Sequence, residues 1–266
     1  MLLSLEGRTL WYDDLGPVTA PAVVLIHPLA ADSGIWAEQL PALLVAGYRV
    51  IRADLRGHGG SAAQPGPYAM EDLVSDYLAL IDHLGVERAH FCGISIGGMI
   101  SEGMAILHPE RVISLMLGNT RAVAPADAAT RWGPRIAQVE AEGSLVPLAD
   151  ATMSRWLSEA CRAARPLLWQ QIHDTVAAAS VSGYAGCAAA IQGFDWRLRL
   201  AEIAQPVLVV CGADDKGSDI GENEMIAKTV RNGRFRPIEN ARHLPNAEDP
   251  ALFNSLLIDW LSRNAG

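Results

Sequence analysis

The sequence predicts an α/β fold built on a mostly parallel sheet. Short apolar runs rich in β-branched residues alternate with segments of helical periodicity through the first 120 residues. No convincing strand falls between residue 121 and about residue 194, and the alternation resumes at Pro206. Such alternation is typical of a sheet covered by helices on both faces. The predicted domains are a core of residues 1–120 and 195–266 and a helical lid of residues 121–194.

The predicted elements follow one another with short connections. After an opening hairpin from residue 2 to residue 13, strands are expected at residues 22–26, 49–53, 86–92, 112–117, 206–212 and 234–238. Helices are expected near residues 35–45, 70–84, 99–107 and 250–261. The second of these has apolar residues at helical spacing and is followed by Gly85, a typical helix stop.

Ser95 is the predicted nucleophile. Residues 93–97 read Gly-Ile-Ser-Ile-Gly, the pattern of a nucleophile elbow, in which a strand ends, the chain turns sharply and a helix begins. Glycine two residues before and after the serine leaves space for so tight a turn. The predicted strand 86–92 and helix 99–107 flank the pattern in the required order, which makes the motif more specific than its five residues alone.

A serine hydroxyl needs a base to accept its proton and an acid to orient that base. After such an elbow the acid is expected first and the histidine second. Asp215 is the predicted acid because it directly follows the buried strand 206–212, and Asp214 is the alternative. His243 is the predicted base because it lies in the loop after the last strand and is the only histidine beyond the acid.

Two backbone N–H groups are the predicted oxyanion hole. One belongs to Ile96, the residue after the nucleophile, and the other comes from the loop 27–30 after strand 22–26. Leu29 is the predicted donor in that loop, because Pro28 has no N–H. His27 either braces the loop through side-chain hydrogen bonds or fills a polar niche.

The predicted lid supplies the candidates for substrate binding. Its aromatic side chains are interpreted as the lining of a pocket or as packing between helices. Its arginines are interpreted as bidentate partners of a substrate carboxylate or as a solvated helix face. The candidates are Trp132, Trp156, Trp169, Tyr184, Arg131, Arg135 and Arg155.

Composition narrows the function further. A net charge of −9 argues against a nucleic-acid partner, which would require a basic face. The four cysteines lack the paired spacing of a metal site and are expected to be free thiols, which suits a cytoplasmic location. The first residues have no basic start or long apolar run, so neither a signal peptide nor a membrane span is predicted. No cofactor or metal is predicted.

The chain resembles the α/β-hydrolase fold superfamily and, within it, the 3-oxoadipate enol-lactonases, which open a small unsaturated lactone in aromatic-compound breakdown. The likeness rests on Asp-Leu-Arg-Gly-His-Gly-Gly-Ser at residues 54–61, on residues 89–100 and 108–112, and on shorter matches at Arg155-Trp156 and within residues 183–191. The resemblance implies an eight-stranded sheet with a helical lid. It also implies hydrolysis of a small lactone or carboxylic ester through a seryl acyl-enzyme, without a cofactor.

Other functions are compatible with the same residues. A C–C bond hydrolase of aromatic ring-cleavage products or a cofactor-free perhydrolase would use the same triad, and a receptor would reuse the fold without catalysis. Haloalkane dehalogenases and epoxide hydrolases are disfavoured because their elbow nucleophile is aspartate. The loop 27–30 lacks the small, flexible Gly or Ser usual near an oxyanion hole, and residues 216–219 also depart from the lactonase pattern. These departures bear on the substrate rather than on the triad.

Overall fold

The computed structural model describes residues 1–265, which contain one sheet of eight strands. The strands are β1 (Leu2–Leu5), β2 (Arg8–Leu15), β3 (Ala22–Ile26), β4 (Arg49–Ala53), β5 (Ala89–Ile94), β6 (Val112–Gly118), β7 (Pro206–Gly212) and β8 (Asn232–Ile238). Their order across the sheet is β1-β2-β4-β3-β5-β6-β7-β8. β2 is antiparallel to both of its neighbours, and all other pairs are parallel. The predicted fold class is confirmed.

Eleven α-helices connect or follow these strands within the described residues. They are α1 (Leu40–Val45), α2 (Met70–His83), α3 (Ile96–Leu107), α4 (Ala128–Glu142), α5 (Val146–Trp156), α6 (Glu159–Ala164), α7 (Pro166–Ala178), α8 (Val181–Gly193), α9 (Ile220–Thr229), α10 (Pro245–Glu248) and α11 (Pro250–Arg263). Helices α4 to α8 lie between β6 and β7 and are called the insertion below. No helix among residues 1–265 has the length and apolar character needed to cross a bilayer.

The central strands form the core. Every residue of β3 and β5 is buried, as expected for parallel strands with helices on both faces. Fully burying one such leucine or isoleucine contributes roughly 1.5–3 kcal/mol. A Leu25→Ala substitution in β3 removes a side chain of zero exposure and should destabilise the fold by roughly 2–5 kcal/mol.

Three local predictions were wrong at their boundaries by three residues or more. β5 begins at Ala89 rather than at residue 86, because Gly85, with φ of +63°, ends α2 and residues 86–88 form the connection. The helix expected at 35–45 is a 3₁₀ turn, Ser33–Trp36, followed by the separate α1. Pro41 explains this break, since a proline cannot donate the hydrogen bond that would continue a helix. Helix α3 starts three residues earlier than expected, at Ile96.

The strand order creates a crevice between β3 and β5. From β3 the chain moves outward to β4, then returns past β3 to form β5 on its other side. The connections after these two neighbouring strands therefore leave in opposite directions. In open α/β sheets ligands bind at the carboxyl ends of the strands at such a switch point. The loop 27–30 and the elbow at Ser95 are both placed there.

One contact between the insertion and the core is made by the backbone of two glycines. A Cβ atom built on Gly57 would lie 2.5 Å from the Cα of Gly183, the third residue of α8. A Cβ on Gly183 would meet Gly57 Cα at 2.6 Å. The Ser180 N–H also donates to the Gly57 carbonyl at 3.1 Å. Neither glycine leaves room for a side chain, so α8 rests directly on the loop that precedes His58.

Candidate active site

Ser95 stands on a strained turn between β5 and α3. Its φ and ψ are 57° and −119°, a conformation that non-glycine residues rarely adopt. The surroundings hold it there, because the Ser95 N–H donates to the Gly118 carbonyl and the Thr120 hydroxyl donates to the Ser95 carbonyl, both at 2.8 Å. Strain of this kind costs on the order of 1–3 kcal/mol. It lifts the hydroxyl above the carboxyl edge of the sheet, where the side chain is partly exposed.

The glycines of the motif are required by close backbone approach. A Cβ on Gly93 would lie 2.1 Å from the carbonyl oxygen of Gly97. A Cβ on Gly97 would lie 2.2 Å from the carbonyl oxygen of Ile26, at the end of β3. The elbow is therefore pressed against the strand that carries the loop 27–30.

Asp215 and His243 form a buried hydrogen-bonded pair. The His243 Nδ1–H donates to Asp215 Oδ2 at 2.8 Å, and the two side chains are 10% and 0% exposed. Because a carboxylate only accepts, this bond places the proton of the neutral imidazole on Nδ1 and leaves a lone pair on Nε2. Asp214, the alternative acid, is exposed and uses its backbone N–H to bind the Ala241 carbonyl.

The Asp215 carboxylate is surrounded by donors. Asn119 Nδ2 donates to Oδ2 at 2.8 Å, the Ser218 hydroxyl donates to the same oxygen, and the Gly217 N–H donates to Oδ1 at 2.7 Å. Burial raises the pKa of Asp215, but the charge of His243 and the hydrogen bonds from His243, Ser218 and Asn119 outweigh it. The net result is a pKa well below the usual range, so the group stays ionised and acts as an acceptor.

Ser95 and His243 line the same cleft. Among the hydrogen bonds of residues 1–265, none joins the Ser95 hydroxyl to the imidazole. Such bonds are often long without substrate and tighten in the Michaelis complex. The structure thus brings the elbow serine and the acid–histidine pair to one cleft.

Two N–H groups are free where the oxyanion hole was expected. In the described part of the chain, neither the Leu29 N–H nor the Ile96 N–H donates to a protein acceptor. The next residue of the loop, Ala30, has φ of +66° and donates its own N–H to His58 Nε2 at 3.0 Å. The Ala30 N–H is therefore occupied by His58, whereas the N–H of the preceding residue, Leu29, is free.

Two buried histidines hold this loop. His27 Nε2 accepts from the Leu55 N–H and its Nδ1–H donates to the Pro28 carbonyl, both at 2.8 Å. His58 accepts from Ala30 and donates through Nδ1 to the Arg56 carbonyl at 2.9 Å. Burial lowers the pKa of His27, and burial followed by the neighbouring His27 lowers that of His58 to about 3. Both rings are neutral at physiological pH, each in a single tautomer.

The insertion closes the other side of the cleft. The cavity inside it has a volume of about 150 Å³, which leaves room for a small ligand only. Trp156 stacks on His243 with ring centroids 6.3 Å apart and an interplanar angle of 24°. Six predicted binding residues line the cleft: Trp132, Trp156, Tyr184, Arg131, Arg135 and Arg155.

Trp169, for which the sequence left both pocket lining and helix packing open, does not line this cleft. It stacks on His173 at 5.1 Å, and the guanidinium of Arg162 lies over its ring at 4.6 Å. Its helix, α7, packs mainly against α5 and α6. Periodicity alone does not reveal which face of a helix meets the cleft.

The cleft is rich in unpaired positive charge. Arg155 donates to the Thr152 hydroxyl at 3.0 Å, and its pKa is lowered by burial first and by the nearby Arg135 second. Arg135 lies over the Trp132 ring at 5.6 Å. Within residues 1–265 no carboxylate forms an ion pair with Arg135 or Arg155. Arg131 differs, because it is half exposed and paired with Asp127 at 2.7 Å.

Sequence reasoning missed several residues of the site. Asn119 follows β6 directly and has a φ of 45°, so its place at the carboxyl edge of the sheet was a usable signal. Arg121 holds the Gly217 carbonyl at 2.8 Å and lies 3.4 Å from Glu222. Lys216 also lines the cleft. Neither cation follows a pattern that separates it from a surface residue.

The four cysteines Cys92, Cys161, Cys187 and Cys211 are buried and form no disulfide bond within the described residues. Burial raises the pKa of the Cys187 and Cys211 thiols to about 12. They are therefore thiols packed within the core rather than nucleophiles.

A family profile described as an alpha/beta hydrolase fold matches residues 21–250. The chain belongs to this family. It is 33% identical to 3-oxoadipate enol-lactonase 2 of Acinetobacter baylyi, over 95% of this chain and 92% of that protein. These matches confirm the resemblance seen in the sequence.

Two solved structures of the family are similar over nearly the full length. The enol-lactonase from Burkholderia xenovorans has a TM-score of 0.94 at 32% identity, covering 98% of this chain and 100% of that one. A thermophilic esterase from Thermogutta terrifontis, with malate bound, has a TM-score of 0.91 at 29% identity, covering 97% and 95%. The family relationship and these relatives support a lactone or ester hydrolase.

Proposed function

We propose that this protein hydrolyses small lactones or carboxylic esters that carry a carboxylate, through a seryl acyl-enzyme. The observation that carries the proposal is the meeting of a strained elbow serine and a buried aspartate–histidine pair in one small cleft. Ser95 is the nucleophile, His243 the base and Asp215 the group that orients it. The donors of the oxyanion hole are Leu29 and Ile96.

The reaction follows from this arrangement. His243 Nε2 takes the proton of the Ser95 hydroxyl as the oxygen attacks the carbonyl carbon. The Leu29 and Ile96 N–H groups hold the oxyanion, and each such donor is worth ~10²–10³ in rate. The imidazolium then protonates the leaving alkoxide, which in a lactone stays tethered to the acyl group. Water, deprotonated by His243, attacks the ester carbon, and the serine leaves with the returned proton.

The insertion selects the substrate in this proposal. Arg135 and Arg155 lack carboxylate partners in the described structure and line the same cleft as Ser95 and His243, so a substrate carboxylate is their natural counter-ion. The relatives named enol-lactonase, and the esterase with malate bound, support a substrate of this size and charge. Residues 121–194 then act as the lid, with residues 1–120 and 195–266 as the core. The free buried thiols support a cytoplasmic location.

A substrate panel tests the proposal. It contains an enol-lactone with a carboxylate and the same lactone with that carboxylate converted to a neutral amide. It also contains an aryl acetate, a ring-cleavage diketone and a carboxylic acid supplied with hydrogen peroxide. We expect the acidic lactone to have the highest kcat/KM, and a fluorophosphonate to label Ser95 covalently. Preferred turnover of the diketone would assign the C–C hydrolase, and dominant peracid formation would assign the perhydrolase. Failure of both turnover and labelling would leave a non-catalytic receptor.

A further inference from the structure

The loop that carries His243 is fastened to the insertion. The Glu248 carboxylate, at the end of α10, accepts the backbone N–H of Arg242 through Oε2 and the backbone N–H of Ser158 through Oε1. One carboxylate therefore joins the residue before the base to the residue that begins α6. Ser158 is also the cap of that helix, since its hydroxyl accepts the N–H of Cys161 at 3.1 Å.

A second set of hydrogen bonds runs from the side chain of Arg242 to the insertion. The Arg242 guanidinium donates to the carbonyls of Ser154 and Leu157, at 2.6 and 2.9 Å. These carbonyls lie at the carboxyl end of α5, where a helix leaves acceptors unsatisfied and favours a positive charge. The Leu244 N–H adds a longer bond to the Trp156 carbonyl at 3.3 Å. Residues on both sides of the base are thus held by the junction of α5 and α6.

The same junction contacts the base itself. Trp156, between the two carbonyls that Arg242 binds, is the residue that stacks on the His243 ring. On the opposite side the Arg242 carbonyl accepts from Asn119, whose side chain also binds Asp215. The imidazole therefore has one support from the sheet and one from the insertion.

We propose that Glu248 and Arg242 are positioning residues that set the orientation of the His243 imidazole by holding its loop against the α5–α6 junction. The inference rests on the proposed role of His243 as base. It makes the insertion part of the catalytic framework as well as the wall of the binding cleft. Neither residue lines the cleft, so we expect the effect of losing them to fall on the chemical step.

The test uses Glu248→Gln, which keeps the shape but replaces one accepting oxygen with a donor. A matched control is Arg165→Met. Arg165 also joins the insertion to the core, through Glu38 and through the carbonyl of Ala247, the residue before Glu248, and it forms no hydrogen bond with residues 239–244. Steady-state kinetics are measured on the best substrate of the panel. The low-field proton resonance of His243 Nδ1–H is recorded in parallel, because it reports the imidazole–Asp215 bond directly.

Glu248→Gln should lower kcat about 10–100-fold while KM changes by less than about twofold, since small misplacements of a catalytic group have effects of this size. The His243 resonance should broaden or shift, and Arg165→Met should leave kcat and the resonance as in the parent. An unchanged kcat and resonance in Glu248→Gln, or an equal loss in the control, would overturn the proposal.

Arg242→Met is the second variant, used in the same assays should Glu248→Gln fail to fold. It removes only the bonds to α5 and is expected to act in the same direction. If the parent protein turns over no substrate, the proposed function fails, but the resonance still decides whether Glu248 and Arg242 orient His243.

Discussion

The two walls of the cleft are built in different ways. On the sheet wall the loop 27–30 and Ser95 are held in left-handed or strained conformations by hydrogen bonds to neutral partners such as His58. On the insertion wall Arg135 and Arg155 extend charged side chains that have no carboxylate partner in the described chain. In the proposed function, the reactive groups are thus held by hydrogen bonds within the protein, whereas the charged groups of the insertion would be paired by the substrate. Changes on the first wall should affect every substrate, and changes on the second should depend on substrate charge.

The largest effect is expected on the sheet wall from Ser95→Ala. Members of a triad act as a unit, so we expect kcat to fall by about 10⁴–10⁶ for acidic and neutral substrates alike. The melting temperature should not fall, because the strained turn is no worse for alanine. A variant that keeps a tenth of the parent activity would show that another group is the nucleophile.

Asp215→Asn should follow, with kcat lower by about 10⁴, because an amide holds His243 in the wrong tautomer. Asp214→Asn is the matched control, since that side chain is exposed and its loss is expected to change kcat little. Both variants are assayed at saturating substrate. A damaging Asp214→Asn beside a mild Asp215→Asn would reverse the assignment of the acid.

The insertion wall should respond more weakly and selectively. Arg135→Met and Arg155→Met each remove one side of a charge-assisted pair, and we expect a loss of roughly 1.5–3 kcal/mol in kcat/KM for acidic lactones. Neutral esters should be hydrolysed much as before. Arg131→Met is the control, because its guanidinium is already paired with Asp127. If the ratio of acidic to neutral turnover stays constant in all three, the wall does not recognise charge.

The smallest effect on activity is expected from Glu102→Gln. Glu102 lies in α3, the helix that follows Ser95. Glu102 is fully buried, and within residues 1–265 neither carboxylate oxygen has a hydrogen-bond partner. Burial holds its pKa well above the ordinary range, so the folded protein keeps it protonated.

The raised pKa of Glu102 predicts a pH-dependent stability. The contribution of Glu102 to the free energy of unfolding is fully present below the pKa of the group in the unfolded chain, near 4.5. This contribution is lost as pH rises toward the pKa in the folded protein, by about 1.4 kcal/mol per pH unit. Glu102→Gln should therefore raise the melting temperature more at pH 8 than at pH 5. Glu140→Gln, at an exposed position of α4, should show no such trend. An equal gain at both pH values would mean that Glu102 is ionised in the fold.

The features that the sequence predicted correctly are those imposed by local backbone requirements. The elbow was recognisable because Gly93 and Gly97 have no room for a Cβ atom, so the spacing of the motif records a contact in space. The strand 206–212 was predicted to the residue, since a strand buried on both faces is a continuous apolar run. The placement of Asp215 and His243 followed from the order of elements.

The features that escaped prediction depend on contacts between distant segments. Asn119 and Asp215 are 96 residues apart. The position of Asn119 after β6 indicated the edge of the sheet, but not which acid in the loop after β7 it binds. Trp169 and Trp156 carry the same local signal, yet only Trp156 reaches the cleft. The break before α1 was missed because the apolar pattern continues through Pro41. Side-chain roles on the insertion therefore required the structure.

The bare contact between Gly57 and Gly183 limits how this protein exchanges parts with its relatives. The two backbones are so close that a Cβ atom on either glycine would lie about 2.5 Å from the other chain segment. Gly57 is also adjacent to His58, whose ring holds the loop 27–30 through the Ala30 N–H. Substrate range in such a scaffold would be easy to diversify by grafting a foreign insertion if the two parts were independent modules. Here a graft without glycine at the α8 position would displace the loop of His58 and disturb the reaction centre. New specificities are therefore more accessible through single side chains along α4 and α5 than through recombination of whole insertions.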